Sequence, residues 1–379
     1  MSYLIQEGKI QDQITTTLNA CSLEVLNHLV GEIYPLIIGC YQLNEDDATR
    51  SGELRLYSIP QMSTDIKFGN ATQIIDTDSG VLDGKWQNIP DQHMNYFATA
   101  NASGSISIYG LHSEENASNS LNLSLMSSSE IEESNGLALA LAWDDSNSSQ
   151  IVSSYSGGTL ALHTIDYRSD GSACNIHESV RWNAHSMFGC PAEVWTCCFA
   201  SNKEYNSHPN VVMSGGDDCK MKVWDIRNNN IPFHVMSDFD AGVTALSYHP
   251  KLEHIFAVGS YDECLRIMDI RKLAEPLTKI NVDGGVWRAK WHPKDSSRIL
   301  VGAMHAGCRI VQADCILDHD HVDENAHETV ITKSFTKHKS MAYGADWLLI
   351  PRVGGDLEFA ASCSFYDKQG FIWHSSERD

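Results

Sequence analysis

Short runs in which apolar and polar residues alternate recur along this chain, and a period of two marks a strand with one buried face. Met221-Lys222-Val223-Trp224-Asp225 and Leu265-Arg266-Ile267-Met268-Asp269 are two such runs, preceded by the small-residue turns Gly216-Asp217-Asp218 and Gly259-Ser260-Tyr261-Asp262. The segment ahead of each turn repeats as well. Gly242-Val243-Thr244-Ala245-Leu246-Ser247-Tyr248-His249-Pro250 returns 43 residues later as Gly285-Val286-Trp287-Arg288-Ala289-Lys290-Trp291-His292-Pro293. Self-similarity at this period denotes an array of small β units.

A frame taken from Asp218 and Trp224, a turn residue six positions before a strand-ending residue, fits the chain seven times. The strand-ending residues are Tyr57, Tyr109, His163, Trp224, Met268, Gln312 and Trp373, with turn residues at Ser51, Ser103, Gly157, Asp218, Asp262, Ala306 and Asp367. Their spacings are 52, 54, 61, 44, 44 and 61. Four antiparallel strands need roughly 40 to 45 residues, so the short spacings are bare units and the long ones carry insertions. The pattern resembles the WD40 repeat and predicts an all-β fold, a seven-bladed WD40 β-propeller, as a single domain over residues 1–379. Few residues follow Trp373, so the outer strand of blade seven has to come from elsewhere. Residues 3–14, ahead of an inner strand expected near 20–25, are predicted to supply it and to close the ring. The Ser-, Asn- and Glu-rich stretch at about 113–135 reads as a solvated inserted loop, and about 314–335 as a second insertion. The His- and Asp-rich part of the latter, 318–328, reads as solvated loop rather than a metal site.

Composition narrows the partners. The chain holds 27 basic against 49 acidic residues, a formal charge of −22, which disfavours nucleic acid and anionic membranes. It has no run of 18 apolar residues, and Met1-Ser2-Tyr3-Leu4-Ile5-Gln6-Glu7 lacks the character of a signal peptide. A soluble, cytoplasmic monomer is expected. The 11 cysteines are odd in number, and Cys197, Cys198 and Cys264 fall inside predicted strands, so reduced buried thiols are the expectation. No zinc-finger spacing occurs, and no metal or other cofactor is expected.

Candidate chemistry lies on the predicted narrow face, to which the residue before each turn and the second residue of each inner strand point. The pre-turn ring is Arg50, Ala102, Ser156, Asp217, Tyr261, His305 and Tyr366; the inner-strand ring includes Leu82, Leu139, Trp195, Thr244, Trp287 and Tyr343. Aromatic residues gather on blades four to seven. Trp195, Tyr261, Trp287, Tyr343 and Tyr366, with Asp217 nearby, suit an alkylated ammonium group, which binds aromatic faces. Packing between blades is the competing use for the same rings.

Val194-Trp195-Thr196-Cys197, Gly284-Gly285-Val286-Trp287-Arg288, Met304-His305-Ala306-Gly307, Tyr343-Gly344-Ala345-Asp346-Trp347 and Cys363-Ser364-Phe365-Tyr366-Asp367 together carry a closer likeness. From about residue 180 onward the chain resembles the diphthine methyl ester hydrolase family of diphthamide biosynthesis. The resemblance implies hydrolysis of the methyl ester of methylated diphthine on translation elongation factor 2, a substrate with a trimethylammonium group beside the ester. No GxSxG nucleophile elbow occurs. His305 is the candidate general base, with Asp217 or Asp346 to orient it or balance charge, and Asp346 also a candidate substrate contact. Arg288 or the Gly284-Gly285 amides are candidates to stabilise the oxyanion, and Cys363 and Ser364 are alternative nucleophiles. Asp218, Asp262 and Asp367 match the structural aspartate of the repeat, and His185 with Asp218 and Trp224 its stabilising network. The rival reading is a non-enzymatic scaffold: Trp224-Asp225-Ile226-Arg227, echoed by Asp269-Ile270-Arg271, is the WDxR motif of propellers that present substrates to cullin-type ubiquitin ligases, and Arg227 would sit on the wide face.

Overall fold

The alternating runs become antiparallel strands, four to a blade, and the blades close into a seven-membered ring. The structure, a computed structural model, describes residues 5–46, 48–63, 65–87, 94–113, 121–130, 136–168, 174–202, 204, 208–317, 328–353 and 355–376. Every strand-ending residue of the sequence frame lies in the third strand of its blade. Tyr57 falls in Arg50–Pro60, Tyr109 in Ile106–Ser113, His163 in Thr159–Tyr167 and Trp224 in Lys220–Asp225. Met268 falls in Cys264–Asp269, Gln312 in Cys308–Gln312 and Trp373 in Gln369–His374.

Because each blade is covered on both faces by its neighbours, the apolar core is divided into wedges, one at each blade interface. Between blades six and seven, Leu300, Ile310 and Phe335 pack against Trp347, Phe371 and Trp373. The Phe335 and Trp373 rings lie parallel within 4°, with centroids 4.9 Å apart. Each such large side chain contributes about 1.5–3 kcal/mol by leaving water.

Closure follows the sequence reading and adds to it. Ile10–Thr15 pairs antiparallel with Gln369–His374, Ile10 opposite Trp373 and Thr15 opposite Gln369, and completes blade seven. Just before it, Gln6–Glu7 pairs in parallel with Val330–Phe335 of blade six. The arm therefore straps two blades together. Gly8 takes the crossing: a Cβ there would stand 2.7 Å from Cε3 of Trp373, so a side chain would push the arm off the ring. Residues 3 and 4 lie outside the described residues.

Two predicted insertions need correction. Leu121–Ser128, inside the Ser-rich stretch, is the outer strand of blade two, paired with Ile106–Ser113 and burying Leu121 and Leu123. Its alternating leucines outweigh the disorder-like composition. Val330–Phe335 is likewise the outer strand of blade six, and Asp314–Ile316 forms a short 3-10 turn. Residues 114–120, 131–135 and 318–327 lie outside the described residues.

One backbone detail positions the site. The inner strands break register by one residue between Ala20 and Ser22, Val81 and Asp83, Ala138 and Ala140, Val194 and Thr196, Val243 and Ala245, and Ala342 and Gly344. A bulge re-aims the extra side chain out of the pleat. The bulged residues are Cys21, Leu82, Leu139, Trp195, Thr244 and Tyr343; five of them belong to the ring that the sequence reading placed on the face, whose sixth, Trp287, directly precedes the unbulged inner strand Arg288–Trp291.

Candidate active site

The bulges turn Trp195 and Tyr343 toward one end of the ring, here the upper face, where the pre-turn residues also lie. Trp195 and Tyr261 meet at 89° with centroids 6.3 Å apart, Trp195 and Trp287 stand 5.6 Å apart, and Tyr261 and Trp287 6.0 Å. Tyr343 stacks on Trp287 at 4.8 Å. Phe365, which the sequence reading did not single out, touches Tyr343 at 5.4 Å and Tyr366 at 4.9 Å, linking the exposed Tyr366 to the rest. At these separations no ammonium fits between two faces. The rings form a continuous platform, and a cation would rest on it within about 6 Å of a centroid.

Charge sits at the edge of the platform. The Trp195 indole donates from Nε1 to Asp217 Oδ1 at 3.3 Å, leaving Asp217 exposed beside the rings. Burial, then Asp217, pushes the nearby Glu193 carboxyl up, and burial likewise raises the Tyr261 hydroxyl and takes that of Tyr343 to about 12. The Trp287 Nε1–H is buried with no acceptor among the described residues.

His305 shares this face but not the partners expected for it. It is exposed on the turn after Met304, whose φ is +42°, and makes no hydrogen bond or ion pair with a described residue. Asp217 is taken by Trp195, and Asp346 is not on the face at all. Cys363 and Ser364 are fully buried. Burial pushes the Cys363 thiol well above its ordinary range, and the Ser364 hydroxyl donates to Asp367, which also accepts from the Gln369 and Lys339 amides. Both are fixed in the buried end of the strand Leu357–Ser364, which removes the geometric basis for either as a nucleophile.

Arg288 and Asp346 belong instead to an ionic cluster inside the central channel. Arg288 Nη2 reaches across the ring from blade six to Asp83 Oδ1 of blade two at 2.8 Å. Lys85 Nζ contacts Asp83 at 2.9 Å and Glu24 at 2.8 Å; Lys290 Nζ contacts Glu24 at 2.6 Å and Asp346 at 3.6 Å. Three acids balance three bases, as burial demands. Burial opposes ionisation of Asp83, yet Arg288 and Lys85 hold its carboxyl below the usual range. Burial lifts Asp346 to about 6, against the pull of Lys290. Burial also disfavours the Lys290 ammonium, but Asp346 and Glu24 outweigh it and keep its pKa raised. These groups line an axial chamber of about 590 Å³ whose upper wall includes Trp287. A second concavity, about 640 Å³, lies between blades one and two around Arg50, Glu53 and Asp78 and shares no residue with the platform.

Sequence reasoning missed Glu24, Asp83, Lys85 and Lys290 because their partners lie on other blades. The usable signal was local: charged residues at i and i+2 on inner strands, as in Asp83/Lys85 and Arg288/Lys290.

Comparison with known proteins sets this geometry in a family. Residues 181–225, from the end of the outer strand of blade three through the first three strands of blade four, match the family described as WD domain, G-beta repeat. Over 383 residues the chain is 33% identical to the diphthine methyltransferase homolog of Dictyostelium discoideum, covering 90% of this chain and 95% of that protein. The chain belongs to the diphthine methyltransferase family. It is 32% identical to the diphthine methyltransferase of Mus musculus and 34% identical to that of Homo sapiens, with 86% and 77% of this chain covered. It spans only 66% and 60% of the length of those mammalian relatives. Membership in the diphthine methyltransferase family supports an enzymatic reading over the ligase-adaptor alternative. The guanidinium of Arg227 closes on Asp225 of its own turn at 2.9 and 2.6 Å, and Arg271 does the same on Asp269 at 3.0 and 2.6 Å.

Proposed function

We propose that this protein acts in diphthamide formation by removing the methyl ester from methylated diphthine on elongation factor 2, in the cytoplasm. The platform of Trp195, Tyr261, Trp287 and Tyr343, edged by Asp217, is the observation that carries this reading. A trimethylammonium group is weakly hydrated, so exchanging water for aromatic faces costs little and gains cation–π attraction. Asp217 adds negative charge at the rim. Tyr366, exposed at the outer end, extends the surface toward the polypeptide that bears the modification. The net charge of −22 favours approach of a cationic side chain.

The names of the relatives speak of methyl transfer, and one experiment separates the two directions. Elongation factor 2 carrying methylated diphthine is incubated with the purified protein, and the modified peptide is weighed by mass spectrometry. The hydrolase reading expects loss of the ester methyl in buffer alone. Retention of that methyl, with methylation of diphthine when a methyl donor is supplied, would reverse the assignment. In the same assay His305→Ala tests the rim histidine: the absence of an orienting partner leads us to expect near-normal turnover.

A further inference from the structure

We propose that ester cleavage takes place in the axial chamber beneath the platform, with Asp346 as general base toward water and Arg288 as the donor that stabilises the oxyanion. This rests on the hydrolase reading above. Trp287 is the link, since its ring belongs both to the platform and to the chamber wall. In the substrate the ammonium and the ester share one carbon. An ammonium held against Trp287 therefore sets the ester at the chamber roof, beside the next residue along the strand, Arg288.

The chamber is built unevenly. Blades one, two, six and seven give it the six groups of the ionic cluster, whereas blades three to five line it, Asp145 apart, with uncharged side chains such as Ala142, Cys198, Ser247 and Tyr248. Among the ionic groups the acids are covered more fully than the bases. Side-chain exposure is 1%, 6% and 5% for Asp83, Glu24 and Asp346, against 24%, 13% and 20% for Lys85, Arg288 and Lys290. The chamber thus offers cationic donors to an oxygen that gains charge.

Depth matches the reaction. Arg288 and Lys290 are two residues apart on one strand, a rise of roughly 7 Å, and Lys290 contacts Asp346. One ester group and one water molecule fill such a gap. Asp346 keeps its carboxylate in place by accepting the Val25 amide at 2.9 Å through Oδ2 and its neighbour Trp347's amide at 2.9 Å through Oδ1. It takes a proton from water as the water oxygen bonds to the ester carbon, and the carbonyl electron pair moves onto oxygen facing Arg288. Collapse breaks the carbon–methoxy bond, the proton on Asp346 passes to the departing methoxide, and methanol leaves. The acid product gives its own proton to solvent and remains as a carboxylate among the chamber's cations.

The test compares wild type, Asp346→Asn and Ser247→Phe on methylated-diphthine elongation factor 2. Ser247→Phe fills the neutral wall without removing an ionic group, so it reports on the chamber even if Asp346→Asn weakens the fold. Each variant is checked by circular dichroism, and binding of the substrate is followed by indole fluorescence. We expect kcat to fall about 10²-fold or more in Asp346→Asn with binding retained. Ser247→Phe should lose turnover to a similar degree. Wild-type kcat/KM should rise with pH through about 6, as Asp346 ionises beside Lys290 and Glu24, and that limb should vanish in the Asn variant. A wild type that cleaves the ester while both variants match its rate would overturn the chamber assignment and leave the hydrolase reading intact. A wild type that does not cleave the ester overturns both.

Discussion

Blades four and two hold the same turn by different means. In blade four Trp224 Nε1–H donates to Ser214 Oγ at 2.9 Å, Ser214 bonds His185 Nε2 at 2.7 Å, and His185 Nδ1 bonds Asp218 at 2.7 Å. Burial lowers the His185 pKa against the pull of Asp218, consistent with a neutral imidazole passing one hydrogen bond along the relay. In blade two Ser103 stands where blade four has Asp218, and the turn is tied by hydroxyls: Ser103 to Ser79 at 3.1 Å and to Ser105 at 2.9 Å, with Asn101 donating to Ser105 and Ser107. The relay is a single buried line, flanked at Asp218 by Lys222 at 3.4 Å, while the hydroxyl web is redundant. Aspartate turns recur in blade five, where Asp262 takes Arg266 at 2.6 Å, and in blade seven with Asp367. The residues just before these anchored turns are Asp217, Tyr261 and Tyr366. Tyr261 of the platform, its charged edge Asp217 and the outlying Tyr366 are thus presented from anchored turns, which is what a preorganised binding surface needs.

Breaking the relay should have the largest effect. Asp218→Ala leaves His185 and Lys222 buried without their carboxylate and is expected to cost about 3 kcal/mol in urea unfolding. Blade three sharpens the contrast, because His163 occupies the Trp224 position there without a carboxylate. It contacts Ser153 at 2.8 Å, and burial, then Arg181, pushes its pKa down to about 3. Below about 6.5 the unfolded chain takes up a proton that folded His163 refuses, so stability falls as pH drops from there toward 3. His163→Gln should remove about 1.4 kcal/mol per pH unit from that slope, read from melts across the acid range. On the functional face, Trp195→Ala is expected to raise KM about tenfold, equivalent to about 1.4 kcal/mol, with kcat little changed. Leu82→Ala, at the same bulge in blade two, should leave KM alone; equal effects would mean that the upper face is not divided as the blades suggest. Smallest is Ser103→Ala, about 1 kcal/mol or less, since neighbouring hydroxyls re-pair.

Much of the ring was legible because its signals are local. A turn and a bulky residue six positions on lie within one hairpin, and even blades with Ser103 or Gly157 at the turn keep the spacing; in blade one the hairpin is longer, so Arg50 and Ser51, read as turn residues, lie inside the strand Arg50–Pro60. The aromatic ring could be placed for the same reason, since its members hold a fixed point at the start of each inner strand, marked by a bulge in six of the seven blades. Geometry between blades was not legible. Nothing near Glu24 in the chain announces Lys290, and nothing near Asp83 announces Arg288, because the ring's curvature rather than sequence proximity brings them together. Asp346 illustrates the same limit: it sits four positions into its inner strand, and each pair of residues carries the side chain one step further down the channel. Composition misled where it competed with periodicity, as at Leu121, Leu123 and Leu125 among serines.

The strap formed by Gln6–Glu7 and Ile10–Thr15 also sets an order of events during synthesis. Its partner strand, Gln369–His374, is made more than 350 residues after it. At 5–20 residues per second the ribosome needs roughly 20 to 70 s to cover that distance. Throughout that interval Ile10–Thr15 has no strand to receive it, and blade one presents an uncovered flank. Ring closure is therefore a late step that waits on the ribosome, and the newborn protein depends on its first strand staying unpaired long enough to become the last one placed.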